Sequence, residues 1–504
     1  MNKIVRLFHL LARLSGVRCR VVLCGPLVPS LMAIAGCSTA VVYDQVGKPS
    51  GSVESLAGYI PSTVTDIKLV FLHGVGDHCP GYALSGGTAG GWFDDKKAAK
   101  LGLTPIDPEP TKTTKIYSDE FLSTPDGSVV HPFDNQSYVA LRTQNFTYGT
   151  AKAHVEAIEI TWSPLTQWIK NRQLVDDYTE KGNVSCNDDL VISGEIDPVS
   201  GKPPPRLAIN RVLKEDLLDR NLADAAIYMG QYHSVMQLGV ADALCHALTG
   251  QPVVDGQGDR QAPVCDWNKA TVAPHTGFIF VTHSLGGRLL YDTLLGLMDL
   301  DAPGVDRAAL ATEFPRSSTY MSDVMSRTPV VYMMANQLSF LGMANTTAQD
   351  TSDSIVDKPA VDLIGQQDQG QDLSLAAGVQ GRAQAAIDRC VNVGCRLSVA
   401  KQAAVALNPR GHDDPPSEQL SVVAFSDTDD LLTWPVPSKY QRDAGNPQAG
   451  KILPLKFINV YVDNATRWLF FEWPPSAHDD YFINGAVWNV IHCGAYNGQP
   501  KECY

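Results

Sequence analysis

The stretch "GFIFVTHSLGGRLLYDTLLGL", residues 277–297, changes character halfway along. Phe278, Ile279, Phe280 and Val281 form an apolar, β-prone run, as expected of a buried strand. Leu289, Leu290, Leu294, Leu295 and Leu297 then recur at near-helical spacing. Between the two runs stand His283, Ser284, Gly286 and Gly287. A strand that turns directly into a helix at a serine predicts a nucleophile elbow. The backbone at such a corner is strained, so small residues are needed two places to either side, and the hydroxyl is held clear of the sheet. The pattern here is Thr282-His283-Ser284-Leu285-Gly286, with a threonine at the leading small position.

A serine hydroxyl is a weak nucleophile unless a base takes its proton, and the base needs a carboxylate to hold its tautomer and its charge. With an elbow of this kind the chain order is serine, acid, histidine. Among the late histidines, His478 in "PSAHDDYFINGAVWNVI" lies between the last expected strand and the last expected helix, whereas His492 lies in or at the end of that helix. His478 is therefore the expected base. The acid should follow the penultimate strand, and "VVAFSDTDDLLTWP" offers Asp427, Asp429 and Asp430. Asp429 is the expected acid, with Asp430 and Asp427 as alternatives. An acyl-transfer oxyanion needs two N–H donors. The Leu285 amide supplies one, and the turn His73-Gly74-Val75-Gly76 after the strand in "DIKLVFLHGVGDH" offers the Val75 amide as the other.

HGVG, THSLGG, the Asp cluster and HDDYF, in this order, resemble the α/β-hydrolase superfamily, in particular its lipases and esterases. The resemblance spans roughly residues 66–492. It implies an α/β-hydrolase fold, a mostly parallel central sheet with helices on both faces. It implies a serine hydrolase acting on a carboxylic ester, lipid or otherwise hydrophobic, with no cofactor and no metal. A non-catalytic envelope lipoprotein that keeps the fold for binding, or an acyltransferase, would carry the same pattern.

The alternation of strands and helices is consistent with that architecture. Strands are expected at 66–72, Ala157–Trp162, the front half of 328–344, 420–427 and 455–463. Helices are expected at 207–228, 234–248, 382–407 and 482–492. Residues 80–150 are polar without a strong period and read as one insertion. Residues 345–415 read as a second, a candidate lid.

The chain has 504 residues, 44% hydrophobic and 19% charged, a globular composition. Its net charge of −14 excludes a basic nucleic-acid surface as the main function. Residues 1–20 carry five basic residues and no acid, and "VVLCGPLVPSLMAIAGC" at 21–37 is apolar and ends on small residues, the layout of an export signal. Ile34-Ala35-Gly36-Cys37 resembles the lipobox of bacterial lipoproteins. That resemblance implies a signal peptide over 1–36, acylation of Cys37 and a membrane-anchored domain. Ser38 in place of Asp implies the outer membrane of a bacterial cell envelope. Residues 37–65, rich in Ser, Gly, Thr and Pro, read as a tether to a domain at 66–504. Beyond the leader and Cys37, eight cysteines remain, an even number suited to an oxidising compartment. Pairs 390–395, 493–503 and 245–265 are close in sequence, which leaves 79–186 by elimination.

Overall fold

A computed structural model describes residues 40–43, 51–85, 91–117, 137–149, 153–174, 186, 207, 210, 213–253, 265–269, 271–343, 375–388, 390, 392–408, 419–437, 440, 455–464 and 474–501. The leader, Cys37 and Cys503 lie outside them, as do residues 465–473.

The chain forms an α/β structure around a mixed, mostly parallel sheet. Its path is β1 (Ala40–Tyr43), β10 (Leu455–Val462), β9 (Leu420–Asp427), β8 (Val330–Met334), β7 (Thr276–His283), β2 (Asp66–Leu72), β6 (Ala153–Thr161), β5 (Tyr138–Tyr148) and β3 (Leu103–Pro105), with β4 (Thr114–Tyr117) also on β5. The six strands from β10 to β6 are parallel, and β1 and β5 close that block antiparallel. Parallel strands need crossovers on the faces of the sheet, so their residues are covered on both sides. Every residue of β7 is buried. Phe278 and Phe280 enter the core beneath the Leu285–Leu297 helix, while Ile279 and Val281 enter the core on the other face, which also holds Tyr481 and Phe482. This is the two-residue alternation of a strand expressed between two helical layers.

The His233–Thr249 helix stops at Gly250, whose φ of 68° is the left-handed cap that glycine adopts without cost. The expected 207–228 helix is instead a π-helix over Leu213–Leu222 that continues as an α-helix over Ala223–Met229.

Three expectations need correction. The 37–65 segment is not wholly a tether: Ala40–Tyr43 pairs with β10, and Val53 is buried and bridges Ala495. The polar 80–150 stretch contains β3, β4 and the eleven-residue β5, so much of it belongs to the sheet. The expected lid at 345–415 contains the Leu375–Ile387 and Val393–Leu407 helices, whose Val379, Ala383, Leu397 and Val399 are core residues. Buried Lys401 donates to the carbonyls of Met325, Ser326 and Thr328, capping the end of the Ser317–Ser326 helix. That half of the segment is therefore fixed in the structure.

Among the described residues three disulfides are present: Cys245–Cys265 and Cys390–Cys395, expected from their close spacing, and Cys79–Cys186, expected by elimination. The expected 493–503 pair includes Cys503, which lies outside the described residues.

Candidate active site

Parallel strands all deliver their C-terminal ends to one edge of a sheet, and clefts form there. Ser284 follows β7, the Asp427–Asp430 turn follows β9, and His478 lies beyond β10, so the three sequence candidates meet at one edge. Ser284 has φ 51° and ψ −126°, a conformation costly for any side-chain-bearing residue. Its N–H donates to Met334 O on β8 at 2.8 Å, and its carbonyl accepts Gly287 N–H at 3.1 Å. The corner is therefore pinned by the neighbouring strand and by its own helix.

The glycines explain how the corner fits. A Cβ on Gly286 would lie 2.2 Å from His73 O, and one on Gly74 would lie 2.5 Å from Ser284 Cβ. The elbow and the HGVG turn thus touch backbone to backbone. Thr282, which replaces the leading small residue, is accommodated because the second glycine, Gly287, faces it: a Cβ there would come within 3.1 Å of Thr282 Oγ1.

His478 Nε2 lies 3.1 Å from Ser284 Oγ. On the other side of the ring, Nδ1 lies 3.0 Å from both carboxylate oxygens of Asp430. Asp430, rather than Asp429, is thus the carboxylate behind the ring. Asp429 is exposed, and its N–H donates to Asp427 Oδ1 at 2.8 Å. Asp427 also accepts Asn464 N–H at 2.5 Å, so it organises the turn rather than the histidine. His492 sits in the last turn of the Gly485–Cys493 helix, away from this group. Ser284, His478 and Asp430 are all buried. Burial alone would hold the His478 pKa down, but the charge and hydrogen bond of Asp430, with Asp479 adding to them, outweigh it and raise the pKa above the ordinary histidine value.

Two residues beside the triad were not singled out from sequence. The Tyr481 hydroxyl donates to Asp430 Oδ2 at 3.1 Å and accepts Asp427 N–H at 2.7 Å. With Leu432 N–H on Oδ1 at 2.9 Å, it fixes the carboxylate plane. His283 Nε2 lies 2.8 Å from His478 O, so the residue before Ser284 holds the backbone of His478. Burial, and then the charge of His478, push the His283 pKa well below the ordinary value, so the ring is neutral and donates from Nε2. Both residues lie inside the quoted motifs, but only their long-range partners reveal what they do.

The Leu285 N–H opens the Leu285–Leu297 helix, where the helix dipole favours negative charge. Among the described residues neither it nor the Val75 N–H is spent on a protein acceptor. The Val75 turn is held from three sides. Its carbonyl lies 3.1 Å from His78 Nε2, Gly76 N–H donates to Asp224 Oδ2 at 2.8 Å, and Gly76 O accepts Ser163 Oγ at 2.9 Å. Buried Lys170 lies 3.0 Å from both Asp77 and Asp224, so the carboxylate that holds the turn, Asp224, is itself paired. His73 Nε2 accepts the N–H groups of Trp162 and Ser163, and its ring stacks on Trp162 at 4.6 Å. Asn336 braces the loops after β8 and β9 by exchanging bonds with Trp434.

His283, His478 and Asp479 bring ligand atoms within 4.8 Å of one another, as a metal site would. Both ring nitrogens of His478 are already engaged, however, and an ion there would have to break its contact with either Asp430 or Ser284.

Comparisons with protein-family models, with curated proteins and with solved structures found no match for this chain.

Proposed function

We propose that the protein is a serine hydrolase of the α/β-hydrolase type that cleaves a carboxylic ester of lipid or otherwise hydrophobic character. The observation that carries this reading is the continuous line from Ser284 Oγ through His478 to Asp430, with spacings of 3.1 and 3.0 Å. In this reading His478 Nε2 takes the Ser284 proton as Oγ attacks the ester carbonyl, and the carbonyl π bond opens to an oxyanion received by the Leu285 and Val75 N–H groups. His478 then gives the proton to the departing alkoxide, leaving an acyl group on Ser284. Water attacks that acyl group by the same route and regenerates the hydroxyl. Asp430 accepts the Nδ1 hydrogen bond throughout and so holds the ring in the tautomer that leaves Nε2 free to take the proton.

The strained Ser284 backbone also supports the reading, because a non-glycine residue in that region has to be held there by its surroundings. A purely structural serine at a helix start would turn its hydroxyl onto its own helix, yet Ser284 makes no side-chain cap. The test is turnover of a chain-length series of p-nitrophenyl esters and phospholipids by the wild type, Ser284→Ala and His478→Ala. The wild type should turn over at least one chain length, and both variants should lose at least about 10³-fold in kcat. Wild-type inactivity across the series, or activity retained in Ser284→Ala, would remove this function.

A further inference from the structure

The sheet topology relates the start of the domain to its catalytic edge. β1 runs antiparallel to β10, so Ala40 lies opposite Val462, the last residue of β10. That is the end of the sheet where Ser284, Asp430 and His478 gather. Cys37 precedes Ala40 by three residues, a length of chain that reaches at most about 11 Å. Four strand spacings separate β1 from β7, about 19 Å across the edge. A lipid carried three residues before Ala40 would therefore be tethered within about 11 Å of the catalytic edge.

A second observation, independent of the leader, concerns the same edge. Large apolar side chains are exposed in the segments that follow β8, β9 and β10: Met343 at 62%, Leu431 at 61%, Trp434 at 36% and Ile483 at 67%. These three strands are the nearest neighbours of β1 in the sheet. Leu431 directly follows the triad carboxylate, and Ile483 lies five residues after the triad histidine. Trp434 is stacked on Phe340 at 4.5 Å, so the loops after β8 and β9 present one joined surface. Other large apolar residues are exposed elsewhere, Ile106 and Leu218 among them. These four are set apart by standing in the segments that follow three neighbouring strands at the catalytic edge.

We propose that the rim formed by Met343, Leu431, Trp434 and Ile483 docks on the lipid bilayer that holds the Cys37 anchor, with the catalytic edge facing the membrane. The occupant is a bilayer because the chain leading to the anchor ends on this edge and the rim side chains are apolar. An acyl anchor supplies the affinity and the rim supplies the orientation. Membrane-resident esters then lie within reach of Ser284 without leaving their leaflet. The docking surface rests on the lipobox reading of Cys37, and its consequence for substrate rests on the hydrolase reading.

The experiment uses the full chain, purified with its native N-terminus and reconstituted on phosphatidylethanolamine–phosphatidylglycerol vesicles doped with a nitroxide lipid. A bimane probe is placed at Ile483→Cys on the rim or at Ala273→Cys, an exposed position just before β7 at the opposite end of the sheet. Quenching at position 483 should exceed that at 273 by fivefold or more, and Cys37→Ser should abolish the difference. Equal quenching at the two positions, or a Cys37→Ser protein still docked, overturns the proposal. Met343→Asp combined with Ile483→Asp should reduce hydrolysis of a vesicle-borne ester at least tenfold and leave a water-soluble ester within twofold. An unchanged vesicle rate would also overturn it. The quenching readout does not depend on turnover. Asymmetric quenching in a protein that hydrolyses nothing would uphold the docking face and reject the hydrolase reading alone.

Discussion

Replacing Asp430 by Asn keeps the shape behind His478 and removes its charge. Both carboxylate oxygens lie 3.0 Å from Nδ1, so the charges of an Asp430–imidazolium pair are about 4 Å apart. At an effective dielectric of about 20, that attraction is about 4 kcal/mol, or about three decades in rate if it is realised only when His478 becomes charged. The amide adds a second penalty. Its NH2 group favours the imidazole tautomer with the proton on Nε2, which leaves Ser284 without a base, and the combined loss for such a change reaches about 10⁴. The expected fall in kcat is therefore about 10³- to 10⁴-fold with KM little changed. Asp429→Asn, on an exposed residue one position earlier, should stay within about twofold, as surface substitutions usually do. The assay is steady-state hydrolysis of a p-nitrophenyl ester, normalised by active-site titration. Comparable losses in the two variants, or more than a tenth of wild-type activity in Asp430→Asn, would rule out Asp430 as the carboxylate that supports His478.

Other predictions follow from the same contacts. Because the His478 pKa is raised and the base must be neutral, kcat/KM should fall as pH drops through an apparent pKa above the ordinary histidine value of about 6.5; in Asp430→Asn the residual activity should titrate lower, since burial then acts unopposed, and an unshifted limb would contradict this. Tyr481→Phe removes one bond from Asp430 and leaves Asp427 N–H without its hydroxyl acceptor; kcat should fall about tenfold with the fold intact by circular dichroism, a loss of about 1.4 kcal/mol. Gly74→Ala and Gly286→Ala force a Cβ into hard contact at 2.5 and 2.2 Å, so both should lower Tm and abolish turnover, whereas Gly485→Ala, with nothing within 4 Å, should be neutral or slightly stabilising by thermal melt.

The strand–elbow–helix unit was legible because its chemistry is local: an apolar run, a serine, two glycines and a leucine face follow within one short segment. The choice between Asp429 and Asp430 was not, because both sit in one tight turn and spacing alone does not rank them. What separates them is Tyr481, 51 residues further on, which reaches back to Asp430. β5 was illegible for a related reason. Its "LRTQNFTY" half is polar and partly exposed, and its pairing with β6 rather than its own pattern makes it a strand. Ala40–Tyr43 reads as linker because its short apolar run is flanked by Ser, Gly and Pro, and only its register on β10 shows otherwise. The Val393–Leu407 helix looked like part of an insertion because it follows a polar stretch, yet its small alanines let it pack closely on the Ser317–Ser326 helix.

The proposed function requires that Ser284 be a nucleophile activated by His478. A fluorophosphonate probe followed by peptide mass mapping tests it without knowledge of the substrate. A single adduct is expected on the peptide that contains Ser284, slowed strongly in His478→Ala and missing from Ser284→Ala. An adduct on another residue, or equal labelling of wild type and Ser284→Ala, would contradict it.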